Sequence, residues 1–297
     1  MAEHTFSVEP EYEGCRVETY LRRFKGMSRR TMVALRHREN GLTCNGRPIR
    51  TVDSLHAGDR LSLLLTDERP PQKSSFLPID IVYEDDEYYV CNKSAGMPVH
   101  PSLKYYDKTL ANAAAAFYAG RGEEMVFRPL NRLDRGTSGL VLAAKHQYAA
   151  SLLREGVKKE YFAVAEGTLR GSGWISAPLR RRDNSGSKQI VCPDGARAVT
   201  HWSSLFCEEG VTQLRIRLET GRMHQIRAHM SFLGAPLVGD AMYGGSTELL
   251  CRQALHCGYM CFQNPFSHKW VELAAPLPDD IGAFFVRGGI PLCYPFK

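Results

Sequence analysis

The sequence predicts an α+β fold built on a mixed, largely antiparallel sheet, preceded by a small N-terminal domain. Segments with the alternating pattern of strands are mixed with helical segments, and the two kinds do not alternate strictly along the chain. A change in composition divides the chain, because the segment DERPPQKSSF contains adjacent prolines and few residues that could be buried. We therefore expect domains at residues 1–67 and 77–297, joined by a linker at 68–76.

Composition excludes several classes of protein. With 297 residues, 43% of them hydrophobic and 24% charged, the chain suits two globular domains. It has no run near the ~18 apolar residues of a membrane span, and its first residues, MAEHTFSVEPEYEG, do not resemble a secretory signal. The nine cysteines include no C-x-x-C pair, and Cys251, Cys257 and Cys261 lack zinc-ligand spacing. We expect a cytoplasmic protein with reduced thiols, no metal and no membrane contact.

Positive charge is concentrated near the N-terminus. The chain has 38 Lys and Arg against 32 Asp and Glu, yet residues 16–38 hold eight basic residues and a single acid, Glu18. The basic residues are Arg16, Arg22, Arg23, Lys25, Arg29, Arg30, Arg36 and Arg38. Apolar residues recur at helical spacing in the same window, so two short helices would bury one stripe and expose the arginines. Such a surface is either simply solvated or binds phosphate groups, and composition leaves both open.

The first domain also carries a resemblance to a known module. Ser28 is a predicted helix N-cap, and Asn45-Gly46 predicts a tight hairpin turn. The segments RVETYLRRF, SRRTMVALRHRENGLTCNGRPI and VDSLHAGDRLSL, about residues 14–66, resemble the S4 RNA-binding domain. The resemblance implies a small α-L module that docks on folded RNA through arginines. The candidate contacts are Arg16, Arg22, Arg23, Arg29 and Arg30.

The second domain begins with strands and ends with strands. IDIVYEDDEYYV predicts a strand pair, TLANAAAAFYAG a helix ending at Gly120, and LVLAAK and KKEYFAVAEG two strands around the helix QYAASLLREG. TQLRIRLETG predicts a strand, and RMHQIRAHMSFLG a helix with Gly234 as its C-terminal cap. QALHCGYMCFQNP and KWVELAAPLP predict the closing strands. The basic loop at 180–188 either contacts phosphates or is a solvated insertion.

One carboxylate, Asp134, occurs on a predicted turn among arginines, in RPLNRLDRGTSGL. The sequence lacks the G-x-x-x-x-G-K-[ST] and G-x-G-x-x-G loops that hold nucleotides, and Ser138 is not in a G-x-S-x-G elbow. His224 and His229 are five residues apart, which does not match a zinc-protease pair. Asp240 offers a second carboxylate for a glycosidase, but sequence alone does not fix the distance between the two.

Four motifs of the second domain carry a family resemblance. NRLDRGTSGLVLAAK, KKEYFAVAEG, ETGRMHQIRAHMSFLGAPLVGDAMYG and RQALHCGYMCF resemble the RluA family of pseudouridine synthases, over about residues 77–297. The resemblance implies the pseudouridine synthase fold and an isomerase that converts uridine in structured RNA to pseudouridine. An S4 domain in front matches the ribosomal large-subunit members, so we expect 23S ribosomal RNA as the substrate. We expect a monomer that needs no cofactor.

The resemblance also implies roles for individual residues. Asp134 is the catalytic carboxylate, and Arg227 is its ion-pair partner. Tyr161 stacks on the uracil and acts as the base at C5, although tyrosine, with a pKa of ~10, is ordinarily a poor base. Arg132 enters the RNA stack as the uridine leaves it, and Leu255 forms an apolar wall. Whether Asp134 adds to C6, attacks C1′ or removes the C2′ proton stays open.

Two positions depart from the family pattern, and three alternative functions remain. Asn131 replaces a histidine and Met223 a threonine, but neither maps to the chemistry. The alternatives are a transfer RNA substrate, an N-glycosidase that releases the base, and a non-catalytic RNA-binding assembly factor. The joint presence of Asp134, Tyr161 and Arg227 argues against the last, because a pure binder has no need for a lone acid in a phosphate-binding cleft.

Overall fold

The structure, a computed structural model, describes most of the chain. The described residues are 2–65, 72–73, 75–103, 105–153, 156–182 and 186–287. Residues 68–71 and 74 of the predicted linker, and residues 183–185 of the basic loop, lie outside them. Among the described helices, none combines the length and apolar character that crossing a membrane requires.

The N-terminal module, residues 2–65, is a four-stranded antiparallel sheet with short helices. Its strands are β1 (Ala2–Ser7), β2 (Leu42–Cys44), β3 (Arg47–Pro48) and β4 (Arg60–Leu65), which pair in the order β1-β4-β2-β3. Helix α1 (Val17–Thr19) runs into a π-helical turn at Tyr20–Phe24, and α2 spans Arg29–Arg36. The module therefore has the predicted two helical segments followed by short strands.

Local signals in the N-terminal module are confirmed. Ser28 Oγ accepts a hydrogen bond from the Thr31 N–H at 3.1 Å, so it caps α2 as predicted. Asn45 and Gly46 have φ of 51° and 79°, the left-handed pair that a tight hairpin turn needs. Strand β4 places every second residue in the core, where Leu61 packs with the apolar stripe of the helical segments. The sheet thus buries that stripe and leaves the arginines outside.

The larger part of the molecule is built on a ten-stranded mixed sheet. Its strands and one separate hairpin are β5 (Ile81–Glu84), β6 (Tyr88–Lys93), β7 (Arg128–Pro129), β8 (Ser138–Ala144), β9 (Lys158–Glu166), β10 (Ser172–Ser176), β11 (Leu179–Arg181), β12 (Gln189–Val191), β13 (Val199–Glu208), β14 (Val211–Leu218), β15 (Leu255–Gln263) and β16 (Trp270–Ala274). The sheet order is β10-β13-β14-β9-β15-β8-β6-β5, with β7 beside β8 and β16 beside β15. Strands β11 and β12 form the separate hairpin.

Strand β15 lies between β8 and β9 and joins the two halves of the sheet. It pairs antiparallel with β9, setting Cys257 opposite Tyr161, and parallel with β8, setting Cys257 opposite Gly139. Within the described residues, this is the one parallel pair in the sheet. The predicted α+β class with a mixed, largely antiparallel sheet is therefore confirmed.

Four more helices pack on this sheet: α3 (Leu110–Ala119), α4 (Gln147–Leu152), α5 (Gln225–Phe232) and α6 (Asp279–Arg287). Helix α5 begins three residues after the start of its sequence motif, because His224 has φ of 52° and cannot be helical. Helix α6 packs through Phe285 on Phe162 of β9. Since side chains alternate along a strand, the neighbouring Tyr161 points to the opposite face of the sheet.

The N-terminal module contacts the larger part through α4. Tyr148 belongs to the buried core of the module, and its hydroxyl donates to the Lys25 carbonyl at 2.6 Å. His4 of β1 packs edge-on against Phe266 at 5.1 Å between ring centroids. Removal of the module would therefore expose apolar side chains of the larger part, so point substitutions are better probes of the module's role than truncation.

Candidate active site

Asp134 lies on the turn that leads into β8. The Thr137 N–H donates to the Asp134 carbonyl at 3.0 Å and closes the turn. Gly139 follows with φ of 110°, and a Cβ there would lie 2.2 Å from the Cys257 carbonyl oxygen, so only glycine lets β8 approach β15 this closely. Gln253 Nε2 donates to Thr137 Oγ1 at 3.1 Å. The turn is thereby fastened to the segment that enters β15, which fixes the position of Asp134.

Arg227 of α5 reaches Asp134 and a second carboxylate at once. Its Nη1 donates to Asp134 Oδ2 at 3.0 Å, while Nε and Nη2 donate to the two oxygens of Asp240 at 2.6 and 2.8 Å. The Asp240 side chain is 1% exposed. Burial lowers the pKa of Arg227, but the carboxylates of Asp240 and then Asp134 outweigh burial and raise that pKa above its ordinary value. The bidentate pair fixes the guanidinium plane, so the remaining donor points at Asp134.

Tyr161 and Leu255 line a small recess beside Asp134. The recess has a volume of about 50 Å³ and shares Asp134, Arg132 and Arg227 with the main cleft. Tyr161 is buried, and that burial, followed by the nearby Cys257 and Asp134, raises its pKa well above the ordinary value. The structure therefore brings together all five residues that the family motifs single out.

The recess adjoins a cleft of about 1110 Å³. Arg132 is exposed and lines both spaces, so it stands where the cleft and the recess meet. Met223 also lines the cleft. Asn131 instead binds the backbone of β8: its Nδ2 donates to the Leu140 carbonyl at 3.1 Å, and its Oδ1 accepts from the Leu142 N–H at 2.8 Å. The Asn131 side chain therefore supports the strand and lines neither the cleft nor the recess.

Three residues of the site had no assigned role at the sequence level. Asp240 was considered only as a second glycosidase carboxylate, whereas it holds Arg227. His224 Nε2 lies 3.7 Å from Asp134 Oδ2, and burial lowers the pKa of this imidazole. The Lys93 ammonium is buried and donates to the carbonyls of Ser94 and Met97 (2.8 Å each) and of the residue after Asp134 (3.3 Å). The position of His224 in RMHQIR was the available signal, since the helix motif places it near Arg227.

The N-terminal arginines form a separate surface. Arg16, Arg22, Arg23, Arg29 and Arg30 are exposed. All five belong to the N-terminal module, and the cleft lining comes from residues of the larger part. Arg22 pairs with Glu18 at 3.4 Å, and both side chains are about half exposed. In the described ranges, no group of three or more His, Cys, Asp or Glu residues is arranged to hold a metal ion.

Comparison with known proteins identifies the family. The sequence profile described as RNA pseudouridylate synthase matches residues 87–232. A Bacillus subtilis protein described as the uncharacterized RNA pseudouridine synthase YjbO is 35% identical over 264 residues, which cover 86% of this chain and 93% of that protein. The chain belongs to the RluA family of RNA pseudouridine synthases.

Other relatives of this RNA pseudouridine synthase agree. Ribosomal large subunit pseudouridine synthase D of Vibrio cholerae is 38% identical, covering 69% of each chain, and that of Salmonella typhimurium is 32% identical, covering 92% of this chain and 85% of the other. The solved structure of human RNA pseudouridylate synthase domain containing 1 superposes with a TM-score of 0.55 at 25% identity, over 69% of this chain and 86% of that one. The predicted fold and the predicted isomerase activity on RNA are confirmed.

Proposed function

We propose that Asp134 is the catalytic carboxylate of this pseudouridine synthase. The reaction breaks the N1–C1′ bond of uridine and forms a C5–C1′ bond, while a proton leaves C5 and another is gained at N1. The observation that carries the proposal is the 3.0 Å hydrogen bond from Arg227 to Asp134 at the entrance of the recess lined by Tyr161. A carboxylate fixed in this way can act as a nucleophile or as a base without first reorganising.

Tyr161 packs against the uracil and takes part in the removal of the C5 proton in this proposal. Its raised pKa means that the neutral phenol predominates at neutral pH. A phenol with a high pKa forms a strong base when it ionises, but only a small fraction of it is ionised at neutral pH. The main contribution of Tyr161 is therefore the aromatic surface that packs on the uracil. Leu255 closes the recess on another side. The final deprotonation is therefore expected to depend on the acidity of C5 in the intermediate.

Arg132 takes the place of the uridine in the RNA stack. The target base has to leave its neighbours before it can enter a recess, and leaving costs a few kcal/mol of stacking. The Arg132 side chain is exposed where the cleft and the recess meet, and there it can contact the RNA as the base enters. A guanidinium group can stack on a base and bind a phosphate together, which suits this position.

The N-terminal module is proposed to be an S4-like RNA-binding domain, with a domain boundary at 1–67, a linker at 68–76 and a catalytic domain at 77–297. The support is its own buried core, the resemblance of residues 14–66, and the exposed arginines on its helical side. The five arginine side chains would contact phosphates. The enzyme is expected to act as a cytoplasmic monomer.

The proposed substrate is 23S ribosomal RNA. Relatives described as ribosomal large subunit pseudouridine synthase D, at 32% and 38% identity, support this choice. Transfer RNA is the alternative. Mapping pseudouridines across total RNA from cells with and without the gene distinguishes them, because the lost sites will lie in one RNA class or the other.

Asp134→Asn tests the catalytic proposal. The amide keeps the size of the side chain but removes its charge and its nucleophilic oxygen, so we expect the single-turnover rate to fall by more than about a thousandfold. RNA affinity should be unchanged or tighter, because repulsion between the carboxylate and phosphates is removed. Asp86→Asn, an exposed carboxylate between β5 and β6 that does not line the cleft, is the matched control and should be as active as wild type.

The same assay separates the alternatives. An Asp134→Asn enzyme that converts uridine at the wild-type rate would remove Asp134 from the mechanism. Release of free uracil by the wild-type enzyme would indicate an N-glycosidase, whereas isomerisation leaves the mass of the RNA unchanged. RNA binding without any conversion would favour an assembly factor.

A further inference from the structure

An exposed apolar turn stands at the rim of the catalytic cleft. Ser102 and Tyr105 exchange two backbone hydrogen bonds of 3.0 Å, and both residues line the cleft that holds Asp134. Leu103, within the turn, is 97% exposed, and Tyr106, just after it, is 74% exposed. Two large apolar side chains held in water at the mouth of a site indicate a contact surface.

This rim turn, by which we mean Ser102, Leu103, Tyr105 and Tyr106, contacts the turn that carries Asp134 through Tyr105. The Arg135 guanidinium lies 5.1 Å above the Tyr105 ring, and its Nη1 donates to the Tyr105 hydroxyl. The Arg135 carbonyl in turn accepts from the Gly96 N–H at 2.8 Å and from Lys93 Nζ at 3.3 Å. Because Arg135 directly follows Asp134, the contact between Arg135 and Tyr105 places the rim turn beside the residue that bears the carboxylate.

The chemistry around the rim turn indicates what binds there. Arg132 and Arg135 are exposed and line the same cleft. Their positive charges favour a molecule that carries negative charge close to the rim turn. The exposed side chains of Leu103 and Tyr106 favour a molecule that also has flat or apolar groups. Unpaired nucleotides combine both properties, since each has a phosphate and a base whose face stacks on aromatic side chains.

We propose that Leu103 and Tyr106 form a stacking surface for an unpaired base beside the target uridine. The inference rests on the proposed binding of RNA in the Asp134 cleft and adds a preference to it. A target uridine in a loop or bulge, with an unstacked neighbour, binds better than one inside a continuous duplex. The rim turn contributes affinity and selection of the RNA shape, and the chemical step belongs to the recess.

The experiment compares Leu103→Ser/Tyr106→Ala with wild type. The probe is a pseudouridine-free transcript of the RNA class, ribosomal or transfer, that the wild-type enzyme converts. We expect the Kd to rise about tenfold, the effect of removing roughly one stacked base, with the single-turnover rate at saturating RNA unchanged. Single-stranded oligouridine should displace the transcript less well from the double variant than from wild type. Duplex RNA should displace the transcript equally well from both proteins.

A matched control tests whether any exposed aromatic residue has this effect. Trp270 is 58% exposed and pairs with Gln263, at the end of β15 opposite to Leu255. Trp270→Ala should bind and convert the transcript as wild type does. Equal Kd values for the double variant and wild type would overturn the inference, and so would an equal loss in Trp270→Ala. Failure of the wild-type enzyme to convert either RNA class would contradict the proposed function instead.

Discussion

The arginines of the N-terminal module and Arg227 of the cleft use the same guanidinium group in different surroundings. Arg16, Arg22, Arg23, Arg29 and Arg30 are exposed, whereas Arg227 is buried between Asp134 and Asp240. Exposed ion pairs such as Arg22 with Glu18 contribute at most about 1 kcal/mol, because water and salt screen them. The exposed arginines are thus available to phosphates.

Arg227 has the opposite arrangement. Its N–H groups already donate to Asp134 and Asp240, so its guanidinium group positions side chains inside the protein. A buried pair adds little net stability over an apolar replacement, yet loss of one member leaves the other charge buried and unpaired. Exposure therefore gives arginine a role in affinity, while burial between carboxylates gives it a role in orientation.

Arg227→Met should have the largest effect on both activity and stability. Asp240 would lose both hydrogen-bond donors in a site where its side chain is 1% exposed, so we expect a loss of about 3–5 kcal/mol in the free energy of unfolding. Single-turnover activity should fall by more than about a hundredfold, because Asp134 loses the donor that positions it. Urea unfolding and single-turnover assays measure the two effects. If Arg227→Met/Asp240→Leu recovers stability but not activity, the pair is structural and the Asp134 contact is functional.

Asp240→Asn should lower the reaction rate by an intermediate amount, and it tests whether Asp240 acts by orienting Arg227. The amide keeps the shape of the side chain but weakens its hold on Nε and Nη2 of Arg227. We expect a rate about 10- to 100-fold lower at saturating RNA, with the Kd for RNA unchanged. Asp240→Glu should recover little, since a longer side chain cannot keep the bidentate geometry. A change confined to the Kd would show that Asp240 acts on RNA binding and not through Arg227.

The triple variant Arg23→Gln/Arg29→Gln/Arg30→Gln should leave stability within about 0.5 kcal/mol of wild type, because these side chains are exposed. RNA binding should weaken, and the slope of log K against log salt should fall by roughly 0.7–0.9 for each phosphate that the variant no longer neutralises. Arg47→Gln/Arg50→Gln/Arg60→Gln removes the same charge from exposed positions elsewhere on the module. Equal salt slopes for the two triple variants would mean that the helical arginines have no special role.

Local signals in the sequence predicted much of the fold. Ser28 capped its helix, Asn45-Gly46 formed its turn, and four segments predicted as strands became β8, β9, β14 and β15, because these features depend on neighbouring residues. The predicted α5 started too early, since the left-handed backbone at His224 depends on packing around the site. The position of β15 between β8 and β9 was not predicted, because strand order is set by contacts between distant segments.

Some residues of the site were also predicted from the sequence, and others were not. Asp134, Tyr161 and Arg227 were singled out because their motifs resemble a family, and the structure brings them to one recess. The role of Asp240 was missed, although it lies in the motif VGDAMYGG. Nothing in a sequence shows which of several carboxylates a buried arginine will hold, since that depends on how α5 and the following loop pack together.

The insertion of β15 has a consequence for synthesis on the ribosome. Residues 138–166, which include β8 and β9, leave the exit tunnel well before β15, so the inner edges of both strands stay unpaired while the chain grows. Open edges on an apolar strand such as β8, whose residues are all buried in the finished protein, favour association with other chains. Gln253 and Cys257, which hold the Asp134 turn, also arrive late. The Asp134 turn therefore lacks both of these supports until β15 has been synthesised.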